Sequence, residues 1–185
     1  PVALLDQILR NEELQFPRNA LRLRFTTNHD KNAWDAPAVV KFGLDGLRLG
    51  TVLVNTLPGV PLIYTGEEIP NSRKLSLFEK VDVDWSQPKE MAALYQALAR
   101  LRREHPALSR GQMVRVSGSS PDSVYAFMRI AGTDRILVVL NFSPEPMRIR
   151  LQLPVDRVLP AARRAVVQDL LTGREKRAEA SVLRE

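Results

Sequence analysis

Cysteine is absent from the 185 residues, which excludes disulfide staples and thiolate metal sites. Histidine is nearly absent. His29 and His105 are the only two, too few and too far apart in sequence for a zinc set. No dense oxygen-ligand loop is present, so neither a metal site nor a cofactor is expected within the chain; calcium stays open for a longer protein. No apolar run reaches the ~20 residues that cross a bilayer. The best stretch, Thr51 to Tyr64, is broken by Asn55, Pro58, Gly59 and Pro61. An initiator Met and a basic-then-apolar leader are missing too. The chain starts at Pro1, and Val2, Leu5, Ile8 and Leu9 share one helical face from the outset. The expectation is that the front of a larger protein, with any localisation signal, lies upstream.

Charge is not short. Hydrophobic residues make up 44% and charged residues 26%, the balance of a soluble globular protein, with a net charge of +6. The excess is spread, not set beside aromatics. Arg148, Arg150, Arg157, Arg163, Arg164, Arg174, Arg177 and Arg184 mix with acids. A solvated basic surface is the reading, and neither nucleic acid nor membrane is expected as a partner.

The run Leu21-Arg22-Leu23-Arg24-Phe25 alternates apolar and charged residues, then ends in Thr26-Thr27-Asn28-His29-Asp30. An amide, an imidazole and a carboxylate at a strand mouth are where β/α proteins keep their chemistry. About one helix later the apolar run Val60-Pro61-Leu62-Ile63-Tyr64 ends in Thr65-Gly66-Glu67-Glu68. Together these describe one β/α repeat and the start of the next.

The pattern predicts helices over 2–14 and 36–56, with Pro37 in the first turn of the second. Strands are predicted over 21–26 and 60–64. The second is wholly apolar, as a parallel strand covered on both faces would be. Residues 69–88 read as a long irregular excursion. A helix follows with Met91, Leu94, Tyr95, Leu98 and Leu101 on one face, ended by Pro106. Arg100, Arg102 and Arg103 suit the negative end of its own dipole, and His105 reads as its C-cap. After Arg110 the pattern changes to short strands at 113–116, 124–129, 136–141, 147–153 and 165–169, parted by turn signals. A boundary is expected at about residues 106–111.

Taken alone, Asp30 is most simply a helix cap and His29 a satisfied structural histidine. Asp82 and Asp84 read as a turn into the helix, not as a metal pair. Trp85 is expected in the core and Trp34, four residues past Asp30, on a cleft. Glu67 and Glu68 are adjacent, so one is expected to face the protein and the other the rim.

In series, these segments resemble the C-terminal part of an alpha-amylase family glycoside hydrolase (family 13). Phe25-Thr26-Thr27-Asn28-His29-Asp30 is similar to that family's motif at the end of barrel strand seven, and Gly59 to Glu68 to its strand-eight segment. Val83-Asp84-Trp85 and the helix ending Leu101-Arg102-Arg103-Glu104-His105-Pro106-Ala107-Leu108 are similar to the last barrel helix. Val139-Leu140-Asn141-Phe142-Ser143 and Asp169-Leu170-Leu171-Thr172-Gly173 are similar to the sandwich beyond it.

The resemblance implies an α/β plus all-β fold. Residues 1–108 would be the last two strands and helices of a TIM (β/α)8 barrel, and residues 109–185 an antiparallel β-sandwich, with truncation at its end left open. It also implies a retaining enzyme acting on α-1,4-glucosidic bonds of an α-glucan or maltooligosaccharide. Asp30 matches the carboxylate that stabilises the transition state, and His29 the imidazole on the same sugar. Asn28 would orient the turn or the neighbouring carboxylate, with Lys31, Asn32, Trp34 and Glu68 as further substrate contacts. The nucleophile and the acid would precede Pro1, so the chain alone is expected to be inactive. An incomplete barrel would favour self-association. A transglycosylating or trehalose-forming relative, and a non-catalytic carbohydrate-binding module, are the alternatives.

Overall fold

The computed structural model describes residues 2–17, 20–154 and 164–179. They divide into two compact units, one of Pro1–Ala20 with Arg110–Glu185 and one of Leu21–Ser109. Residues 1–20, which the sequence placed with the first domain, thus group with the later one.

The unit of residues 21–109 is an α/β unit. Its strands β1 (Leu23–Arg24) and β2 (Val60–Pro61) pair in parallel, with Leu23 opposite Val60 and Arg24 opposite Pro61. The ladder is carried by Val60 N–H donating to Arg22 O at 2.9 Å and Leu62 N–H to Arg24 O at 2.8 Å. Both strands are shorter than expected because each has only the other to pair with among the described residues. The expected cover on both faces of residues 60–64 is also not found, since Val60 and Ile63 are exposed. Leu21, Leu23 and Phe25 are exposed in the same way. Apolar side chains that alternate along a strand share one side, and here that side is open.

Two helices complete this unit. Helix α1 (Ala38–Thr56) joins β1 to β2 and helix α2 (Ala92–Glu104) follows the long excursion. They pack through Ala38, Leu47, Met91 and Tyr95. Helix α1 is interrupted at Gly43, whose φ of 69° lies outside helical space. Glycine tolerates that conformation. The helix also starts at Ala38, with Pro37 as its N-cap and not in its first turn as predicted. Arg102 was expected to serve the dipole of its own helix. Instead its guanidinium donates to Asn55 O at 2.8 Å and to Gly59 O at 2.9 Å. It caps the end of α1 and holds the bend into β2. His105 does cap α2, its N–H reaching Leu101 O at 2.8 Å.

The other unit is built on helix α3 (Val2–Gln15) and an antiparallel sheet. Strands β3 (Gln112–Gly118), β4 (Val124–Ala131), β5 (Asp134–Asn141) and β6 (Leu151–Gln152) lie in the order β5-β4-β3-β6. Register sets Val116, Ala126 and Met128 on one apolar face with Val114, Ile130 and Leu137. The opposite face carries Tyr125 and Phe127, whose rings are 5.7 Å apart. There Arg115 sits 4.1 Å over the Tyr125 ring and donates to Asp6 of α3 at 3.0 Å. Burial and the neighbouring Asp6 push the Tyr125 hydroxyl well above its ordinary range. The expected strand 147–153 shrinks to two residues, because only Leu151 and Gln152 reach β3. A separate hairpin pairs β7 (Arg164–Gln168) with β8 (Glu175–Glu179).

Gly59 marks the tightest point of the β1–β2 pair. Its φ is 128°, and a Cβ there would lie 2.4 Å from Arg22 O. Gly59→Ala should therefore destabilise the α/β unit by about 2 kcal/mol or more. Chemical denaturation of parent and variant checks this, and an unchanged midpoint would refute it.

Candidate functional site

Past β1 the chain turns sharply. Asn28 Oδ1 accepts from Lys31 N–H at 2.8 Å, and Asn28 O accepts from Asn32 N–H at 2.9 Å. Asn28 thus starts the helical turn that runs through His29 and Asp30 into a π-type stretch, Lys31–Asp35. Asp30 itself has helical backbone angles and makes no side-chain cap. Relieved of capping, its carboxylate lies beside His29, with Nε2 to Oδ2 at 3.4 Å and side chains 62% and 59% exposed for His29 and Asp30. A carboxylate and an imidazole side by side in solvent can accept from and donate to adjacent hydroxyls of one ligand.

At the ends of the two strands lies a buried polar junction. Glu67 is only 5% exposed. One carboxylate oxygen accepts from the Thr26 hydroxyl at the end of β1. The other accepts from Tyr64 N–H at 2.7 Å, just past β2. The Tyr95 hydroxyl of α2 also bonds Glu67, and Thr51 of α1 donates to that hydroxyl at 3.3 Å. Three segments therefore meet on one carboxyl group, and α1 joins them through the Tyr95 hydroxyl. Burial pushes Glu67 above its ordinary value of 4.5, outweighing these hydrogen bonds, and burial likewise drives the Tyr95 hydroxyl far up. A shallow hollow opens above the junction, lined by Thr27, Asn32, Tyr64, Gly66, Glu67 and Asn71.

Of the adjacent pair, Glu67 is thus the one that faces the protein. Glu68 is half-buried and folds back on its own turn, accepting from Gly66 N–H at 3.2 Å. Lys31 and Trp34 are exposed on the turn that carries Asp30. Trp85, expected in the core, is 48% exposed. It sits in a turn organised by Asp84, whose carboxylate takes Ser86 N–H at 3.1 Å, the Ser86 hydroxyl at 2.6 Å and Gln87 Nε2 at 2.9 Å. Those bonds hold the Asp84 carboxyl below its usual range. Asp82 pairs with Lys80 at 3.3 Å. Among the described residues no group of three or more His, Asp or Glu is placed to hold a metal ion, and no helix is long and apolar enough to cross a membrane.

Sequence reasoning did not find the full junction. Tyr95 was assigned to an apolar helix face, and the hydroxyl was the signal that it needed a partner. Asn32 was read, with Lys31, as a further substrate contact. It is buried, and its Oδ1 accepts from Leu75 N–H at 2.7 Å across 43 residues.

Residues 114–182 match the family described as Maltogenic Amylase, C-terminal domain. The alpha-amylase MalA of Haloarcula japonica is 30% identical over 160 residues, covering 83% of this chain and 23% of that protein. An alpha-1,4-glucan:maltose-1-phosphate maltosyltransferase of Streptomyces coelicolor is 33% identical over 121 residues, covering 62% of the chain and 18% of that protein. The solved maltogenic alpha-amylase AmyB of Thermotoga neapolitana superposes with a TM-score of 0.79 at 22% identity, over 92% of this chain and 39% of that one. The chain thus spans about a quarter or less of the curated relatives' length. These likenesses support a C-terminal part of a family 13 glycoside hydrolase, the alpha-amylase family.

The elevated Glu67 carboxyl gives a pH signature. A raised acid favours the protonated folded state, so its stabilising contribution is complete below the unfolded value of 4.5 and fades as the pH climbs through the folded value. Relative to parent, Glu67→Gln should gain stability as the pH rises from about 4 to about 8. Urea unfolding across that range measures it, and a constant difference would refute it.

Proposed function

We propose that this chain is the sugar-gripping end of an α-glucan-active enzyme, with Asp30 as the carboxylate that stabilises the transition state. The observation that carries this reading is the exposed Asp30–His29 pair, set 3.4 Å apart at the mouth of a parallel strand. In retaining glycoside hydrolysis a nucleophilic carboxylate and a carboxylic acid act about 5 Å apart on one bond. A third carboxylate that bridges two ring hydroxyls strengthens its bonds as the ring flattens toward an oxocarbenium ion. Asp30 takes that third place, and His29 donates to the same ring. Asn28 fixes the turn that presents both, and Lys31 extends the polar rim. Glu68 shapes the neighbouring turn at the mouth.

The nucleophile and the acid then come from segments encoded upstream. The open apolar side of Leu21, Leu23, Phe25, Val60 and Ile63 fits this. It is the side that the remaining strands and helices of a (β/α)8 barrel would cover. Hydrolysis of α-1,4 bonds is the leading reaction. Transfer between glucans is the second reading, favoured by the likeness to a maltosyltransferase.

Two outcomes are expected. The purified chain should release no reducing sugar from starch, yet bind maltooligosaccharide in a manner lost on Asp30→Ala; measured hydrolysis, or binding indifferent to that change, would refute the assignment. Light scattering should show self-association through the open apolar side, and a sharp monomer with a cooperative melt would count against an incomplete barrel.

A further inference from the structure

The helical turn that carries Asp30 also carries Trp34, four residues on and so on the same side. Trp34 is 68% exposed. It is not alone. Phe78, from the irregular excursion after Pro70, lies with its ring centroid 6.2 Å from that of Trp34 and a 57° tilt between the planes. Phe78 is 83% exposed, more than almost any other large apolar side chain of the described residues. One exposed ring is ordinary; two exposed rings in contact make an apolar surface.

The excursion is also held in place. The buried Asn32 side chain, two residues before Trp34, accepts the Leu75 N–H at 2.7 Å, and Leu75 is itself buried. Just beyond, the Ser76 hydroxyl accepts from Phe78 N–H at 3.2 Å and from Glu79 N–H at 3.1 Å. The backbone before and at Phe78 is therefore fixed to the turn that presents Trp34. Two rings from distant segments form an open corner, not a packed cluster.

We infer that Trp34 and Phe78 form a composite stacking platform for a glucose unit next to the one gripped by Asp30 and His29. This rests on the proposed α-glucan reading of Asp30 and adds a second binding position to it. Pyranose rings present C–H faces that suit the negative faces of aromatic rings, while their hydroxyls stay wet. A helical pitch of ~5 Å separates the two positions along the turn, a spacing comparable with one sugar unit. The corner shape selects a curved α-linked chain, which can lie on one ring and touch the edge of the other. Asn32 acts as a positioning residue through its hold on Leu75.

The test is a maltoheptaose titration of the chain in a Trp85→Phe background, where Trp34 is the only fluorophore of its type. Saccharide should change Trp34 emission. Phe78→Ala, at a site too exposed to unfold the protein, should weaken the affinity about five- to tenfold, and Phe78→Tyr should restore it. An unchanged titration in Phe78→Ala, or no response of Trp34 to saccharide, overturns the platform. Asp30→Ala separates the two readings. Loss in Asp30→Ala with none in Phe78→Ala leaves the Asp30 assignment standing and removes the platform. The reverse pattern keeps the platform and removes Asp30.

Discussion

A single buried carboxyl group organises the α/β unit. Glu67 has no basic partner among its hydrogen bonds; it is held by a hydroxyl, a backbone amide and a phenol from three different segments. Burying a carboxyl without a counter-ion is unfavourable, and the upward shift of its titration expresses that. In return, the end of β1, the turn after β2 and the face of α2 converge on one point. The turn that presents His29 and Asp30 begins directly after Thr26, which is tied to that point.

The two units use different means to the same end. In the sheet unit the fixed point is a charge pair, Asp6 with Arg115, which joins α3 to the strand and is capped by the Tyr125 ring. There the chain crosses more than a hundred residues to make one contact. At the strand mouth of the α/β unit Glu67 is held by uncharged donors, and Arg102 binds carbonyls. Arg115 likewise takes the Val116 and Ala126 carbonyls, so in both units an arginine satisfies backbone acceptors.

Most of this architecture was legible because periodicity and turn chemistry agree along the chain. Helix α2, the β4–β5 hairpin about Gly132-Thr133 and the parallel sense of β1 and β2 all followed from local pattern. Strand lengths did not. A strand extends only as far as its neighbours, and β1 and β2 have just each other among the described residues. The expected strand 165–169 coincides closely with β7, whereas the stretch 155–163 lies outside the described residues. In the candidate site, the grouping of Asn28, His29 and Asp30 on one turn was readable because they are contiguous. Phe78 was not, because nothing in an aperiodic stretch says which residue will return to Trp34. Tyr95 was misjudged because a helical stripe marks burial but not the bond its hydroxyl makes. Trp85 was misjudged because size argues for the interior, while Asp84 ties that segment into a surface turn.

The bond from Leu75 to Asn32 divides the long excursion into two arcs. The first, up to Leu75, is short and ends on a buried anchor. The second, beyond the Ser76 turn, has no such anchor until Met91 enters the core. Residues can be added to or removed from that second arc without disturbing the first. Evolution can thus alter the outer reach of the loop while its root stays in register, a separation of grip from extension that a uniformly packed loop would not permit.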